Sequence, residues 1–325
     1  MRLPLALRRA VEQELDGCSA AALRAASAQL SECYREGGTQ KCVALTNDEQ
    51  RAAYLAVRLP ATYAAVVAAL RFASQACTQS CSDEIRTVLD MGSGPGTALW
   101  AATQIFPSIG AVTGFEGDPR WIEIARRLGQ CAEHLAMREA AWMQGDLTVN
   151  LPEGTWDLVV CSYALNELGE SQRAELVRKA WARTARLLVI VEPGTKAGFA
   201  NVLAVRTRLL QKGAILAAPC PHALACPMAQ SGDWCHFAAR VERTAEHRRL
   251  KDATLGHEDE KFSYIAFSRD AAKTPQARIV RHPKIFSGYT QLTLCTAGEI
   301  VNTTITRSKK EDWRRLKRLG WGDGW

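Results

Sequence analysis

The chain has 325 residues, 47% hydrophobic and 23% charged, with a formal net charge of +7. This is the composition of a globular chain with a hydrophobic core, and the length suggests two domains. No apolar run reaches the roughly 20 residues that span a bilayer, so we expect no membrane partner.

The N-terminal stretch MRLPLALRRAVEQEL lacks a long apolar run and carries Glu12 and Glu14. It predicts the first helix of a domain rather than a signal peptide, and a cytoplasmic location is expected ahead of the mitochondrial matrix. Apolar residues recur at three- and four-residue steps through residues 1–82, which predicts an N-terminal helical domain. Pro60 is predicted to kink or end one of its helices.

From residue 83 to residue 204 short apolar runs alternate with amphipathic segments. Strands that alternate with helices form βαβ units, so we predict an α/β core with a Rossmann-like, doubly wound sheet. Residues 205–260 interrupt the alternation and are predicted to be a Cys-rich insertion. Strands are expected to return to the core sheet over residues 261–306, and residues 307–325 form a basic tail.

A glycine-rich loop follows the first strand of the core and opens a helix, with the sequence Asp90-Met91-Gly92-Ser93-Gly94-Pro95-Gly96. Glycines at such a turn let a ligand approach the backbone closely. A dinucleotide site would need a glycine at position 97, which is Thr97. Glu116 ends the next strand, where a carboxylate can accept both hydroxyls of a ribose.

This D-x-G-x-G-x-G pattern resembles motif I of the class I S-adenosylmethionine (SAM) methyltransferases. The resemblance implies that SAM is the cofactor. The residues that it places around SAM are Asp90, Gly92, Ser93, Gly94 and Gly96 at the methionine part, Glu116 at the ribose, Asp146 near the adenine, and Ser162 in the motif IV region.

The motif typical of amino-methylating enzymes is absent after the fourth strand, where Cys161 to Ala164 stand instead. Cys161 lies in an apolar strand, which favours a buried hydrophobe over a nucleophile. Methyl transfer can depend mainly on the alignment of donor and acceptor. No catalytic residue is therefore predicted, and the acceptor atom is unidentified.

The segment PCPHALACPMAQSGDWCHF, residues 219–237, contains Cys220, Cys226 and Cys235. Without a secretory signal such a cluster favours a metal site over disulfides. The spacing lacks the C-x2-C pairs of common zinc fingers, and Cys-Pro pairs recur in ferredoxin-type loops. The residues alone leave zinc and iron–sulfur open, and the candidates for a fourth ligand are His222, His236 and Cys295.

Taken together, the motifs resemble the ribosomal small-subunit methyltransferase-like family. The segments that carry this resemblance are LDMGSGPGTALWAA, VVCSYALNEL, LLVIVEPG, PCPH with CP and WCHF, FSYIAFSR, and the ending RRLKRLGWGDGW. The resemblance implies a [4Fe–4S] cluster held by Cys220, Cys226, Cys235 and Cys295. It also implies association with the small ribosomal subunit during its assembly.

The end of the chain favours a polyanionic partner such as small-subunit rRNA. Between Arg307 and Arg318 there are seven cations and two acids, and Trp313, Trp321 and Trp325 could stack on unpaired bases. Further cations are expected on the same side of the cleft: Arg240, Arg243, Arg248, Arg249, Lys251, Arg281, His282 and Lys284.

Three functions follow from these predictions. The first is an rRNA-directed SAM methyltransferase, and the second is an rRNA-binding assembly factor without catalysis. The third is a small-molecule SAM methyltransferase with a structural zinc, which the basic, Trp-rich ending disfavours. Away from the ribosome we expect a monomer.

Overall fold

A computed structural model describes residues 1–35, 47–77, 83–229, 231–244, 248, 250 and 254–325. Predictions that concern Arg249 and Lys251 lie outside the described residues.

The described helices occupy the N-terminal segment, the spaces between strands and the C-terminal end. They are α1 (Leu5–Leu15), α2 (Ala20–Arg35), α3 (Asp48–Ala53), α4 (Leu59–Ala76), α5 (Thr97–Ile105), α6 (Pro119–Gln130), α7 (Leu135–Arg138), α8 (Glu170–Arg183), α9 (Lys196–Gln211) and α10 (Lys310–Leu316).

The described strands belong to two sheets. They are β1 (Thr87–Met91), β2 (Ala111–Glu116), β3 (Ala141–Gln144), β4 (Trp156–Ser162), β5 (Thr184–Pro193), β6 (Ile215–Ala218), β7 (Phe237–Glu242), β8 (His257–Ser268), β9 (Arg278–Ile279), β10 (Lys284–Ile285), β11 (Tyr289–Cys295) and β12 (Ile300–Thr306).

The large sheet has the order β3-β2-β1-β4-β5-β8-β6, and β7 pairs with β8. Strands β1 to β5 are parallel and follow the 3-2-1-4-5 order of doubly wound nucleotide-binding sheets. Strand β8 runs antiparallel between β5 and β6. The predicted α/β, Rossmann-like methyltransferase-type fold is confirmed, with a sheet that is mixed rather than wholly parallel.

Alternate residues of each central strand enter the cores on opposite faces of the large sheet. In β5, Leu187 and Val189 pack in the core formed with α4, α5 and α6, whereas Leu188 and Ile190 pack in the core formed with α8 and α9. Both faces are covered, which explains the continuous apolar run that predicted this strand.

The N-terminal segment is helical as predicted wherever it is described. Helices α3 and α4 are joined by a π-helical turn, Tyr54–Arg58, in which the Leu59 N–H donates to the Tyr54 carbonyl. Pro60 has no N–H to donate, and the wider turn precedes it. The helix therefore continues past Pro60, where the sequence predicted a kink or an end.

One helical stretch, Asp48–Ala76, is long and apolar enough to cross a membrane by length and composition, contrary to the expectation from the sequence. However, 83% of its most apolar window is buried inside the protein. The core helix of a globular domain meets the same criteria, so the stretch is weak evidence for a membrane span.

The last strands form a separate antiparallel sheet, in which β10, β9 and β12 all pair with β11. Helix α10 packs against it through Leu316, beside Trp313 and Trp325. Strands β11 and β12 form an antiparallel hairpin, and the prediction that the strands of this region return to the core sheet is wrong for both. Residues 307–325 are likewise a folded part of this small sheet rather than a tail.

The cysteine-containing loop is shorter than the predicted insertion. The C-terminal part of helix α9 and the whole of strand β6 fall inside residues 205–260, and both elements belong to the core layers. The loop proper runs from residue 219 to residue 236, between β6 and β7. Both flanking strands pair with β8, so the ends of the loop are fixed by the large sheet.

Candidate functional site

The glycine-rich loop connects β1 to α5 at the carboxyl edge of the parallel strands. Gly92, Gly94 and Gly96 all have positive φ angles, of 76°, 50° and 81°. L-residues with side chains rarely adopt such values, so glycine is required at each turn. A Cβ at Gly94 would meet no atom within 4 Å, which leaves the backbone open to a ligand there.

The third glycine of the loop also makes room for a side chain that the sequence analysis did not consider. A Cβ on Gly96 would lie 2.7 Å from the Trp142 indole, and one on Gly114 would lie 2.3 Å from it. The indole therefore packs between the loop and β2. No local sequence pattern indicates this contact, because it depends on the pairing of β2 with β3.

Asp90 is the most perturbed carboxylate of this site. Its side chain is 1% exposed, and neither oxygen has a hydrogen-bond partner within the described part of the chain. Burial and the neighbouring Glu116 raise the pKa of Asp90 to about 8. The buried hydroxyls of Ser93 and Thr97 also lack partners among those residues. A buried polar group without a partner is costly, so this corner fits the ammonium group of a ligand such as SAM.

Glu116 lies at the end of β2, as predicted, and faces the loop. Its carboxylate accepts hydrogen bonds from the backbone N–H groups of Gly94, Gly117 and Asp118, at 2.7, 2.9 and 3.0 Å. This carboxylate ties the glycine loop to the neighbouring strand end. A ribose bound there would compete with these backbone donors for its oxygens.

The two remaining predicted SAM residues lie at neighbouring strand ends. Asp146 follows β3 and is exposed; hydrogen bonds from Thr148 lower the pKa of Asp146. Ser162 is half-buried and ends β4, next to the glycine loop strand β1. All the predicted SAM residues thus lie along one sheet edge.

A half-buried polar network lies at the carboxyl end of β4. Tyr163 has a φ of 59°, and its hydroxyl donates to the Glu260 carboxylate at 3.3 Å. Arg58, from the π-helical turn, pairs with the same carboxylate at 3.1 Å. Burial raises the pKa of Tyr163 and of Cys161 well above their usual values, so neither side chain is suited to act as a base or nucleophile near neutral pH.

The four predicted metal ligands line one cavity, here called the thiol cavity. Cys220 and Cys226 come from the loop, Cys235 from just before β7, and Cys295 from the end of β11 in the small sheet. His222 also lines it, and its Nε2 lies 3.7 Å from the Cys295 sulfur. His236 instead stacks on Trp234 and meets the Trp321 ring edge-on, outside the cavity lining.

The thiols share the cavity without closing on a single point. Within the described ranges, no group of three or more His, Cys, Asp or Glu side chains is placed to hold a metal ion. Burial raises the pKa of Cys220 and Cys235, and it raises the pKa of Cys295 to about 12. Each of these three thiols therefore favours its neutral form, and a metal would have to displace the proton.

Two buried arginines also line the thiol cavity. Arg206 donates to the carbonyls of His222 and Leu224 at 2.9 and 2.6 Å, and Arg278 donates to those of Pro219 and Gly322 at 2.6 and 3.0 Å. Neither forms a salt bridge with a described carboxylate, and the lining contains no acidic residue.

A buried cation without a counter-charge is strongly disfavoured. The Nε of Arg206 is also buried and has no partner among the described residues. An anionic group in the cavity would satisfy both requirements. A metal centre held by four thiolates is such an anion, so the residues present fit one.

Arg206 was not among the predicted site residues, although the sequence carries a signal for it. In α9 it lies four residues after Val202 and three before Leu209, and both are buried. A helical projection places an arginine on the apolar face of the helix.

The cations predicted to surround the cleft are largely engaged. Arg240 pairs with Asp259, Arg243 pairs with Glu258, and Arg281 with Asp233. The exposed cations of the C-terminal region, in contrast, form no salt bridge with a described acid. They include Lys284, Arg307, Lys309 and Lys310.

Comparison with known families shows to which family the chain belongs. The family described as "Mitochondrial small ribosomal subunit Rsm22" matches residues 48–325. The chain belongs to the Rsm22 family. The predicted resemblance to the ribosomal small-subunit methyltransferase-like family is confirmed, and the matched region includes the glycine loop and all four cavity cysteines.

Two curated relatives illustrate the Rsm22 family. The chain is 26% identical over 291 residues to the human "Ribosome assembly protein METTL17, mitochondrial", covering 83% of this chain and 61% of the relative. It is 30% identical to the fission yeast "Rsm22-cox11 tandem protein 2, mitochondrial", covering 85% of this chain and 43% of the relative. The chain thus spans less than two thirds of each relative.

Solved methyltransferase structures overlap with the chain at low identity. Magnesium protoporphyrin IX methyltransferase from Synechocystis with bound SAM has a TM-score of 0.40 and 13% identity, over 75% of this chain and 97% of that one. An O-methyltransferase family protein from Burkholderia thailandensis has a TM-score of 0.44 and 14% identity, over 70% and 62%. The fold assignment here rests on the strand order.

The comparisons overturn the predicted location. The Rsm22 family and both relatives carry the word mitochondrial in their descriptions, so the cytoplasmic prediction is wrong. That prediction rested on the N-terminal stretch, where α1 is indeed a packed helix with Leu7, Ala10 and Val11 buried. A folded first helix carries no information about the compartment.

Proposed function

We propose that this Rsm22-family chain acts in the assembly of the mitochondrial small ribosomal subunit, in the matrix. In this proposal it binds SAM at the glycine loop, a [4Fe–4S] cluster in the thiol cavity, and small-subunit rRNA through its exposed cations, as a monomer away from the ribosome. The supporting observation is that the four predicted cysteines, three from the loop and one from β11, line one cavity with two buried arginines that form no salt bridge with a described acid.

The sequence of the cysteine loop favours a cluster over zinc. It lacks the C-x2-C pairs of common zinc fingers, and a proline follows both Cys220 and Cys226, as in ferredoxin-type loops. A cubane has its iron atoms at separate corners, so its cysteines stand further apart around a larger space. When bound, such a cluster would join the loop and the small sheet and could exchange an electron.

Metal analysis of anaerobically purified protein tests the cluster. We expect brown protein with the iron and sulfide content of one [4Fe–4S] centre. Cys220→Ser and Cys295→Ser should lose iron, whereas Cys131→Ser, at an exposed site outside the cavity, should retain it. Colourless protein with one zinc would contradict the cluster, and full iron in Cys295→Ser would exclude that residue as a ligand.

We further propose that the chain acts on rRNA by binding rather than by methyl transfer. The position next to the predicted SAM site is filled by the Arg58–Glu260–Tyr163 network, and the pKa values of Cys161 and Tyr163 are raised. Pre-ribosomal small subunits incubated with methyl-labelled SAM should gain no label in their rRNA. If wild-type protein labelled the rRNA and the Gly94→Trp variant did not, that result would contradict this proposal and favour an rRNA methyltransferase.

A further inference from the structure

The tryptophans predicted to stack on RNA bases are used inside the protein. Trp313 and Trp325 pack against the core of the small sheet, and Arg315 lies over the Trp325 ring at 5.0 Å. Trp321 contacts the rings of His236 and His282, and its Nε1 is buried. These rings are therefore committed to folding, and the aromatic surface for RNA has to lie elsewhere.

An exposed aromatic pair lies on the turn between β10 and β11. Phe286 and Tyr289 stack with ring centroids 4.6 Å apart and an interplanar angle of 16°. They are 43% and 36% exposed, and the adjoining Ile285 is 80% exposed. The Phe286 N–H donates to the Tyr289 carbonyl at 2.9 Å, which fixes the turn. Residues 284–289 are called the aromatic tip below.

Exposed cations border the aromatic tip. Lys284 belongs to it, and the Arg307 N–H donates to the Gly288 carbonyl at 3.2 Å. Lys309 and Lys310 follow immediately at the start of α10. None of the four forms a salt bridge with a carboxylate in the described part of the chain. Arg307 also lies over the Trp313 ring, at 5.6 Å from its centroid. Stackable rings beside cations that are free of such salt bridges are the combination that binds single-stranded nucleic acid.

We propose that the aromatic tip is a binding surface for unpaired RNA bases. Phe286 and Tyr289 would present their outer faces to bases, while Lys284 and Arg307 hold the adjoining phosphates. A duplex offers no free base faces, so the tip should prefer single strands. This inference rests on the RNA binding proposed above and assigns it to a surface.

Binding to a labelled oligouridine of about 12 nucleotides tests the inference, with a duplex of equal length for comparison. The double variant Phe286→Ala, Tyr289→Ala should bind the single strand at least about fivefold more weakly. Its duplex binding should stay at the wild-type level. The exchange variant Phe286→Tyr, Tyr289→Phe should bind like wild type because it keeps both rings.

Leu255→Ala is the matched control, since Leu255 is an exposed apolar side chain, 61% exposed, away from the tip. It should leave affinity unchanged. Wild-type protein that binds neither RNA would contradict the RNA binding itself. If wild type and the double alanine variant bound the single strand with equal affinity, only the assignment of RNA binding to the tip would be overturned. If that variant also lost binding to small subunits, the tip would be a protein-binding surface.

Discussion

Asp90 shows how one buried residue links the glycine loop to a charged ligand. Its carboxylate is buried and accepts no hydrogen bond from a described residue. Its pKa is raised to about 8, so it is protonated below that pH. A ligand ammonium group would favour the ionised carboxylate. The proton therefore leaves when such a ligand binds.

The first prediction is that SAM affinity depends on pH through Asp90. Below about pH 8 the free protein carries the extra proton, so affinity should fall as pH falls, by up to about tenfold per pH unit. Asp90→Asn should bind more weakly at pH 8 and lose the dependence. Calorimetry between about pH 6 and pH 8, in buffers of different ionisation enthalpy, measures both affinity and proton release.

A wild-type affinity that stays constant over this range would contradict the role of Asp90. Asp146→Asn is the control, because hydrogen bonds from Thr148 already lower the pKa of Asp146. The SAM affinity of this variant should depend on pH with the same slope as that of wild type.

At the scale of single residues, the sequence predicted what is local. The glycines with positive φ and the carboxylate at the end of β2 follow from a short motif on consecutive elements. The roles of the two cavity arginines and the contact of Trp142 with the glycine loop do not follow from a local motif, because they depend on which distant segments meet. The four cysteines were assigned through the family resemblance, since spacing alone left zinc and iron–sulfur open.

At the scale of elements, α9 and the cysteine loop form one unit. Arg206 on the buried face of α9 holds two carbonyls of the loop, and Arg278 in β9 holds a third from the other side. The Trp234 Nε1 adds a hydrogen bond of 2.8 Å to the Gly194 carbonyl at the end of β5. The loop is thereby fixed at its start, middle and end.

The second prediction concerns Arg206 and rests on the proposed cluster. Arg206→Met should shift the reduction potential of the cluster to more negative values, because an added electron loses a nearby positive charge. Arg206→Lys keeps the charge and should shift it less. Arg208→Met, on the exposed side of the same helix, is the control and should match wild type. Spectroelectrochemical titration measures the reduction potential of the cluster in each of the three variants and in wild type.

An Arg206→Met protein that holds its cluster at the wild-type potential would contradict charge compensation by this residue. The hydrogen bonds to the loop would then be its whole contribution.

The positions of the helices and strands were largely predictable from the sequence, but the pairing of the strands into sheets was not. Strand β11 alternates along its length and buries one face, on which Thr290, Leu292 and Leu294 lie. A strand at the centre of the large sheet, such as β5, is buried on both faces. That difference indicates a two-layer antiparallel sheet, and it was the available clue that β11 and β12 lie outside the core.

At the scale of the whole molecule, positive charge collects on the small sheet. The net charge is +7, while the cations of β7 and residue 281 are paired with acids. Other cations form no salt bridge with a described acid, and these include the cations at the aromatic tip and at the start of α10. The small sheet is therefore the basic end of the protein.

The third prediction is a strong salt dependence of RNA binding. If Lys284, Arg307, Lys309 and Lys310 each neutralise one phosphate, a plot of log affinity against log salt should have a slope of about −3 for a single strand. Lys309→Gln, Lys310→Gln should reduce the slope to about −1.4. Fluorescence anisotropy over a salt series measures it, and an affinity that does not change with salt would exclude this surface.

The π-helical turn between α3 and α4 makes the number of residues in this segment matter as much as their identity. On one side of it Tyr54 packs on Trp121, at 5.2 Å between ring centroids, and on the other Arg58 reaches Glu260. Deleting one residue would restore a regular helix but rotate one side by about 100° relative to the other. Homologous chains should therefore vary in sequence here while keeping a constant length.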